Sequence, residues 1–168
     1  DLNCSSPGFL KFYNPDKIVA GKKMREHFKF AIAYWHSFCG NGSDPFGKGT
    51  LKLEWNNTSD PIQAAKNKAD AAFEFIEKMG FEYFCFHEFD LIEESSSLFE
   101  SEKKLEKILA YVKEKKEESK IKVLWGTANC FSHPRYMNGA ATNPNFNIVA
   151  RAGAQVKIAL DATMYLDG

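Results

Sequence analysis

His87 and Asp90 stand three residues apart where the aromatic run Phe81-Glu82-Tyr83-Phe84-Cys85-Phe86 breaks into Glu88-Phe89-Asp90-Leu91. An Asp beside a His can hold the imidazole in one tautomer and stabilise its cation, which leaves the other ring nitrogen to exchange a proton with a substrate. The same spacing also suits a His satisfied by a neighbouring carboxylate with no chemical role. Trp35, Trp125 and Phe131 are aromatic candidates for a wall that stacks on the C–H faces of a sugar, although Trp125 reads more simply as core. Thr127 and Asn129 lie near Phe131 with polar groups to offer. His36 and His133 read as loop hydrogen-bonders, His27 carries no functional signal, and the sequence contains no phosphate-binding glycine loop or Gly-x-Ser-x-Gly elbow.

These residues cluster at the ends of candidate strands. A run of six residues so rich in aromatics reads as a buried strand, and His87 sits at its exit. Phe28 to Trp35 is a candidate first strand, with Trp35 and His36 at its end, and Ile121 to Trp125 a third, with Thr127, Asn129 and Phe131 beyond it. Asn14-Pro15-Asp16 reads as an N-cap opening a short helix through about Arg25. A longer helix is capped by Ser59 or Asp60, opens with Pro61 and stops at Gly80, with Ile62, Ala65, Ala69, Ala72, Phe73, Ile76 and Met79 on one face. Leu98, Leu105, Ile108, Leu109 and Val112 mark the next helix, whose Lys113 to Glu118 end is read as solvated. Val149, Ala152, Val156, Ala159 and Leu160 mark the last. Strand and helix alternate three times, which predicts parallel strands joined by crossover helices. Parallel folds keep their chemistry at the strands' carboxyl ends.

The 168 residues suffice for a cored domain, and no internal boundary or repeat is evident over 1–168. Lys and Arg total 22 and Asp and Glu total 22, so no net field attracts nucleic acid or an anionic membrane. No apolar run reaches the length of a bilayer span. The start resembles no signal peptide and lacks Met, which points to a missing beginning. Cys4, Cys39, Cys85 and Cys130 lack metal-ligand spacing and read as reduced, buried thiols of a cytoplasmic protein, with two disulfides in a secreted protein as the alternative.

Four segments carry a resemblance: Tyr34-Trp35-His36-Ser37-Phe38-Cys39, Asp44-Pro45-Phe46-Gly47, Phe84-Cys85-Phe86-His87-Glu88-Phe89-Asp90, and Trp125-Gly126-Thr127-Ala128-Asn129-Cys130-Phe131-Ser132-His133-Pro134-Arg135-Tyr136. Together with Lys68-Ala69-Asp70-Ala71-Ala72-Phe73 and Met137-Asn138-Gly139-Ala140 they resemble the xylose isomerases across nearly the whole sequence. The resemblance implies an α/β TIM (β/α)8 barrel of which these residues cover roughly the first three βα units, well under half. It implies interconversion of D-xylose and D-xylulose, and of D-glucose and D-fructose, by ring opening and a metal-assisted hydride shift.

In that family the residue matching His87 assists ring opening and the one matching Asp90 orients it. Trp35, Thr127 and Phe131 match sugar-pocket residues, and Phe46 matches a residue that crosses into a neighbouring subunit of a homotetramer. Two divalent cations are implied (Mg2+, with Mn2+ or Co2+ as alternatives), and their ligands are expected beyond residue 168. Glu88 departs from the pattern, standing where Asp is usual. The implied partners are an aldose and further copies of the same protein, with no nucleic acid and no membrane. Without metal ligands the fragment alone is expected to be inactive, and a catalytically silent or sugar-binding remnant is the alternative. A sugar epimerase or apurinic endonuclease on a related barrel is a further option, and the neutral charge argues against the nuclease.

Overall fold

The computed structural model describes residues 13–168. Two compact units make up the protein, Asp1–Phe30 and Ala31–Gly168.

In the first unit, β1 (Ile18–Val19) and β2 (Lys22–Lys23) pair antiparallel, and α1 (Met24–His27) follows directly. The helix expected over residues 14–25 is therefore a hairpin with one helical turn behind it. Asn14 does not cap a helix: its side-chain oxygen accepts the Asp16 N–H at 3.1 Å and closes a local turn. Ala20 at φ 47° and Gly21 at φ 80° then form the two-residue loop whose left-handed backbone matches the twist of a tight hairpin.

The second unit is built on three parallel strands in the order β3-β4-β5: β3 (Ala31–Ala33), β4 (Tyr83–His87) and β5 (Lys122–Thr127). The first strand is far shorter than the Phe28–Trp35 expectation. From Tyr34 the backbone coils into α2 (Tyr34–Phe38), because Tyr34 and Phe38, four residues apart, both become buried on one helical face with ring centroids 5.0 Å apart. A 3-10 turn (Glu54–Asn56) then precedes the long helix α3 (Pro61–Met79). Its boundaries follow the sequence signals: Asp60 accepts the Ile62 N–H at 2.9 Å, Pro61 occupies the first turn, and Gly80 at φ 72° closes the end. Ala65, Ala69, Ala72, Phe73 and Ile76 are buried, whereas Met79 lies past the packed face and is exposed.

Beyond β4 come the one-turn helix α4 (Glu88–Leu91) and α5 (Leu98–Ser119), the latter capped by Ser97 through the Glu100 N–H. Leu105, Ile108, Leu109 and Val112 are its buried stripe. The charged end of α5 is not simply solvated. Lys113 donates to the Tyr165 carbonyl at 3.2 Å, and Lys116 reaches the Leu166 carbonyl and the Asp167 carboxylate, so both cations sit at the C-terminal end of the last helix, where the helix dipole favours them. That helix is α6 (Phe146–Tyr165), preceded by a 3-10 turn (Pro134–Tyr136). Its buried face is Ala152, Gln155, Ile158, Ala159 and Ala162, so Val156 and Leu160, expected inside, are exposed. Gly126 lets α6 approach β5: a methyl group there would collide with the Thr163 hydroxyl and with Phe86.

β4 is the central strand and is buried on both faces. Phe84 and Phe86 are fully buried, and Phe73 packs edge-on against Phe84 at 5.6 Å between ring centroids. The expectation of alternating parallel βα units holds for these three strands and the long helices α3, α5 and α6.

Candidate functional site

The parallel register aligns the strand exits. Ala33 lies beside Cys85, and Cys85 beside Trp125, so Trp35, His87 and Thr127 all emerge at the same carboxyl edge. A bulge fixes the detail. Phe84 pairs with Val123, but Cys85 pairs with Trp125, leaving Leu124 as an extra residue on β5. Without it Gly126 would flank His87; with it Thr127 does.

At the end of β4 the backbone turns straight into α4. Asp90 occupies the third position of that turn, and its Oδ2 accepts the His87 backbone N–H at 2.7 Å, satisfying a donor that the helix start would otherwise leave free. The same Oδ2 meets His87 Nδ1 at 2.9 Å, with both side chains buried. A carboxylate oxygen only accepts, so Nδ1 carries its hydrogen in this pair and Nε2 of the neutral ring is left with a lone pair. One carboxylate thus fixes both the backbone and the tautomer of His87.

Aromatic rings surround the imidazole. The Trp35 ring centroid is 4.6 Å away and Phe131 stands edge-on at 5.4 Å. Trp125 lies 5.6 Å from Trp35 and is 41% exposed, so it extends this wall and does not belong to the core as its sequence context suggested. Phe131 is 65% exposed, and Thr127, the register partner of His87, is exposed at the strand end. The arrangement is a partly open aromatic recess with one oriented imidazole in it.

Behind the recess, two residues that the sequence did not single out as functional hold the turn. Glu88 is fully buried; it accepts the Asn129 N–H at 3.0 Å and the Gln155 side-chain amide at 2.5 Å. Burial pushes its carboxyl above the ordinary range, and the hydrogen bonds from Gln155 and Asn129 oppose that rise. On the other side Lys68 is buried and donates to the Asp90 carbonyl at 2.5 Å, near Cys39 Sγ at 3.7 Å. Lys68 was marked in the sequence only as the first residue of a family-like segment, and its position on the buried face of α3, where a lysine breaks the apolar stripe, was the local signal for it.

Other expectations resolve differently. Cys39 is exposed and Cys130 half-buried, so of the described thiols only Cys85 is buried; Cys4 lies outside the described residues. His36 is on α2 and exposed, while His133 accepts the Arg135 N–H at 3.0 Å and caps the 3-10 turn. Phe46 is 97% exposed on a turn closed by Asp44, whose Oδ1 accepts the Phe46 and Gly47 N–H groups at 2.8 and 2.9 Å. It makes no ring contact with the recess. Among the described residues no three His, Cys, Asp or Glu side chains converge to hold a metal ion, so these residues do not fit a cation site. No helix among them is long and apolar enough to cross a membrane.

The sequence is 55% identical over 163 residues to the xylose isomerase of Phocaeicola vulgatus, 53% to that of Bacteroides thetaiotaomicron, and 52% to xylose isomerase 2 of Xanthomonas campestris. The resemblance is to xylose isomerases. It takes in 97% of this protein and 37%, 37% and 36% of the three relatives. The 168 residues therefore span a little over a third of the length of the xylose isomerases they match. No protein family model matches.

Proposed function

We propose that this protein forms the sugar-facing part of an aldose–ketose isomerase that interconverts D-xylose and D-xylulose, with D-glucose and D-fructose as a further pair. The observation that carries the reading is the His87–Asp90 pair set among Trp35, Trp125 and Phe131, in a sequence more than half identical to xylose isomerases. Aromatic faces take the C–H faces of a pentose, and a single oriented imidazole can move one proton. In this role His87 Nε2 takes the proton of the anomeric hydroxyl of the closed sugar, the ring C–O bond opens, and the proton goes to the ring oxygen. Asp90 keeps Nδ1–H in place and stabilises the imidazolium formed between the two transfers. Thr127 and Phe131 bound the sugar, and Phe46 reaches into the pocket of a neighbouring subunit in a homotetramer.

The two divalent cations of the isomerase would neutralise the sugar oxygens during the hydride shift between C2 and C1. The described residues account for sugar binding and ring opening alone, and the cation ligands belong beyond residue 168. Residues 1–168 are read as the N-terminal portion of a single TIM-barrel domain in a cytoplasmic enzyme, with the compact units Asp1–Phe30 and Ala31–Gly168 both assigned to that one domain. The lack of a converging ligand set among the described residues favours one second reading, that the 168-residue polypeptide alone binds sugar without turnover.

The experiment is a Mg2+-dependent assay of D-xylose to D-xylulose conversion by this polypeptide and by one extended to the length of its relatives. The extended protein converts xylose and the 168-residue polypeptide does not. Conversion by the short form would refute the division of labour, and failure of the extended one would refute the isomerase.

A further inference from the structure

Phe131 poses a physical problem. Its ring stands 5.4 Å from His87, yet it is 65% exposed, so core packing does not hold it there. Its position must come from the backbone that carries it. That backbone is a tight turn closed by Asn129, whose Oδ1 accepts the Ser132 N–H at 3.0 Å and whose amide donates to the Ser132 hydroxyl at 3.0 Å. Asn129 is in turn gripped at both main-chain groups: its N–H by Glu88 Oε2 at 3.0 Å and its carbonyl by the Gln155 amide at 2.8 Å. Gln155 is itself fixed, donating to Glu88 Oε1 at 2.5 Å and accepting from the Tyr136 hydroxyl at 2.7 Å.

We propose that Glu88 is a positioning residue of the sugar site, whose buried carboxylate fixes the Asn129–Ser132 turn through Asn129 and Gln155 and so sets Phe131 against the His87 ring. The inference rests on the function proposed above and adds a residue that touches neither sugar nor His87 ring. Adjacent residues of one short turn divide the work: His87 faces the recess, and Glu88 ties the exit of β4 to the exit of β5 and to α6. The carboxylate suits this because it offers acceptors to both donors at once, and an amide at the same place would turn one acceptor into a donor facing another donor. Glu88 is buried at 0% exposure, so water cannot repair such a mismatch.

The test is a mutant cycle in the full-length enzyme, comparing Glu88→Gln, Phe131→Ala and the double variant. KM for D-xylose, kcat, and the Kd for xylitol, read from tryptophan fluorescence, are measured for each. Glu88→Gln raises KM and the xylitol Kd by roughly five- to tenfold, the worth of one well-placed aromatic contact, with kcat within about twofold. On the Phe131→Ala background it adds no further rise, because the ring it positions is gone. Glu88→Asp, which keeps the charge but is one methylene shorter, gives a smaller rise in the same direction and carries the comparison if Glu88→Gln does not fold. An unchanged KM, a lowered melting temperature without a KM change, or an equal KM rise on both backgrounds overturns the proposal. An unmutated enzyme that binds neither sugar removes this inference together with the isomerase reading, whereas a fully active parent with unchanged KM in the Glu88 variants removes this inference alone.

Discussion

At the scale of single residues, the site is a set of acceptors placed where donors would otherwise be stranded. Asp90 serves the backbone and ring of His87 with one oxygen, and Glu88 serves an amide and a backbone N–H with two. Glu88 gives a pH-dependent consequence. Burial raises its carboxyl above the ordinary range, so the folded protein binds that proton more tightly than the unfolded state does. Its contribution to stability is then fullest below the ordinary carboxylate range and declines as pH rises through the raised value. Glu88→Gln cannot lose a proton, so the melting temperature of the parent minus that of the variant falls as pH rises from the ordinary carboxylate range through the raised value. Thermal melts across that range check this, and parallel curves would contradict it. His87, Asp90, Trp35 and Phe131 were legible as strand-exit residues. Glu88 and Gln155 were not, because a buried polar pair formed across 67 positions leaves no local pattern. Trp125 misled because a tryptophan at a strand end reads the same whether it faces the core or the recess; the bulge at Leu124, invisible in the sequence, decides its register.

At the scale of elements, what could be read was what local chemistry dictates. Pro61 and Gly80 delimit α3, and Asp60 caps it, as the cap and stop residues require. Where tertiary packing decides, the sequence failed: β3 yields to α2 so that Tyr34 and Phe38 can be buried, and α6 turns Val156 and Leu160 outward because Gln155 must reach Glu88. One terminus is poorly served. α5 ends at Lys120, which holds a left-handed φ of 63° where helices favour glycine. Lys120→Gly is expected to stabilise the protein by about 0.5–1 kcal/mol by removing the strain of a side chain in that conformation. Chemical denaturation measures it; a loss of stability would show that Lys120 contributes a contact worth more than the strain.

At the scale of the whole molecule, the three-stranded sheet brings Trp35, His87 and Thr127 to one carboxyl edge, and among the described residues no His, Cys, Asp or Glu set converges to hold a metal ion. Among the described residues, the three parallel strands keep hydrogen-bonding edges at β3 and β5, and α6 keeps Val156, Leu160 and Met164 exposed. The parallel βα order could be read from alternation alone, and the family from four motifs. Barrel closure is not a property that three strands can display. Initial rates on the ring-closed and acyclic forms of D-xylose, measured for the full-length enzyme with His87 intact and with His87→Asn, decide whether the His87–Asp90 pair opens the sugar. Loss of proton transfer should slow turnover of the closed form by roughly 10²- to 10⁴-fold and leave the acyclic form close to the parent. Unchanged turnover of the closed sugar, or equal slowing of both forms, would remove ring opening from His87.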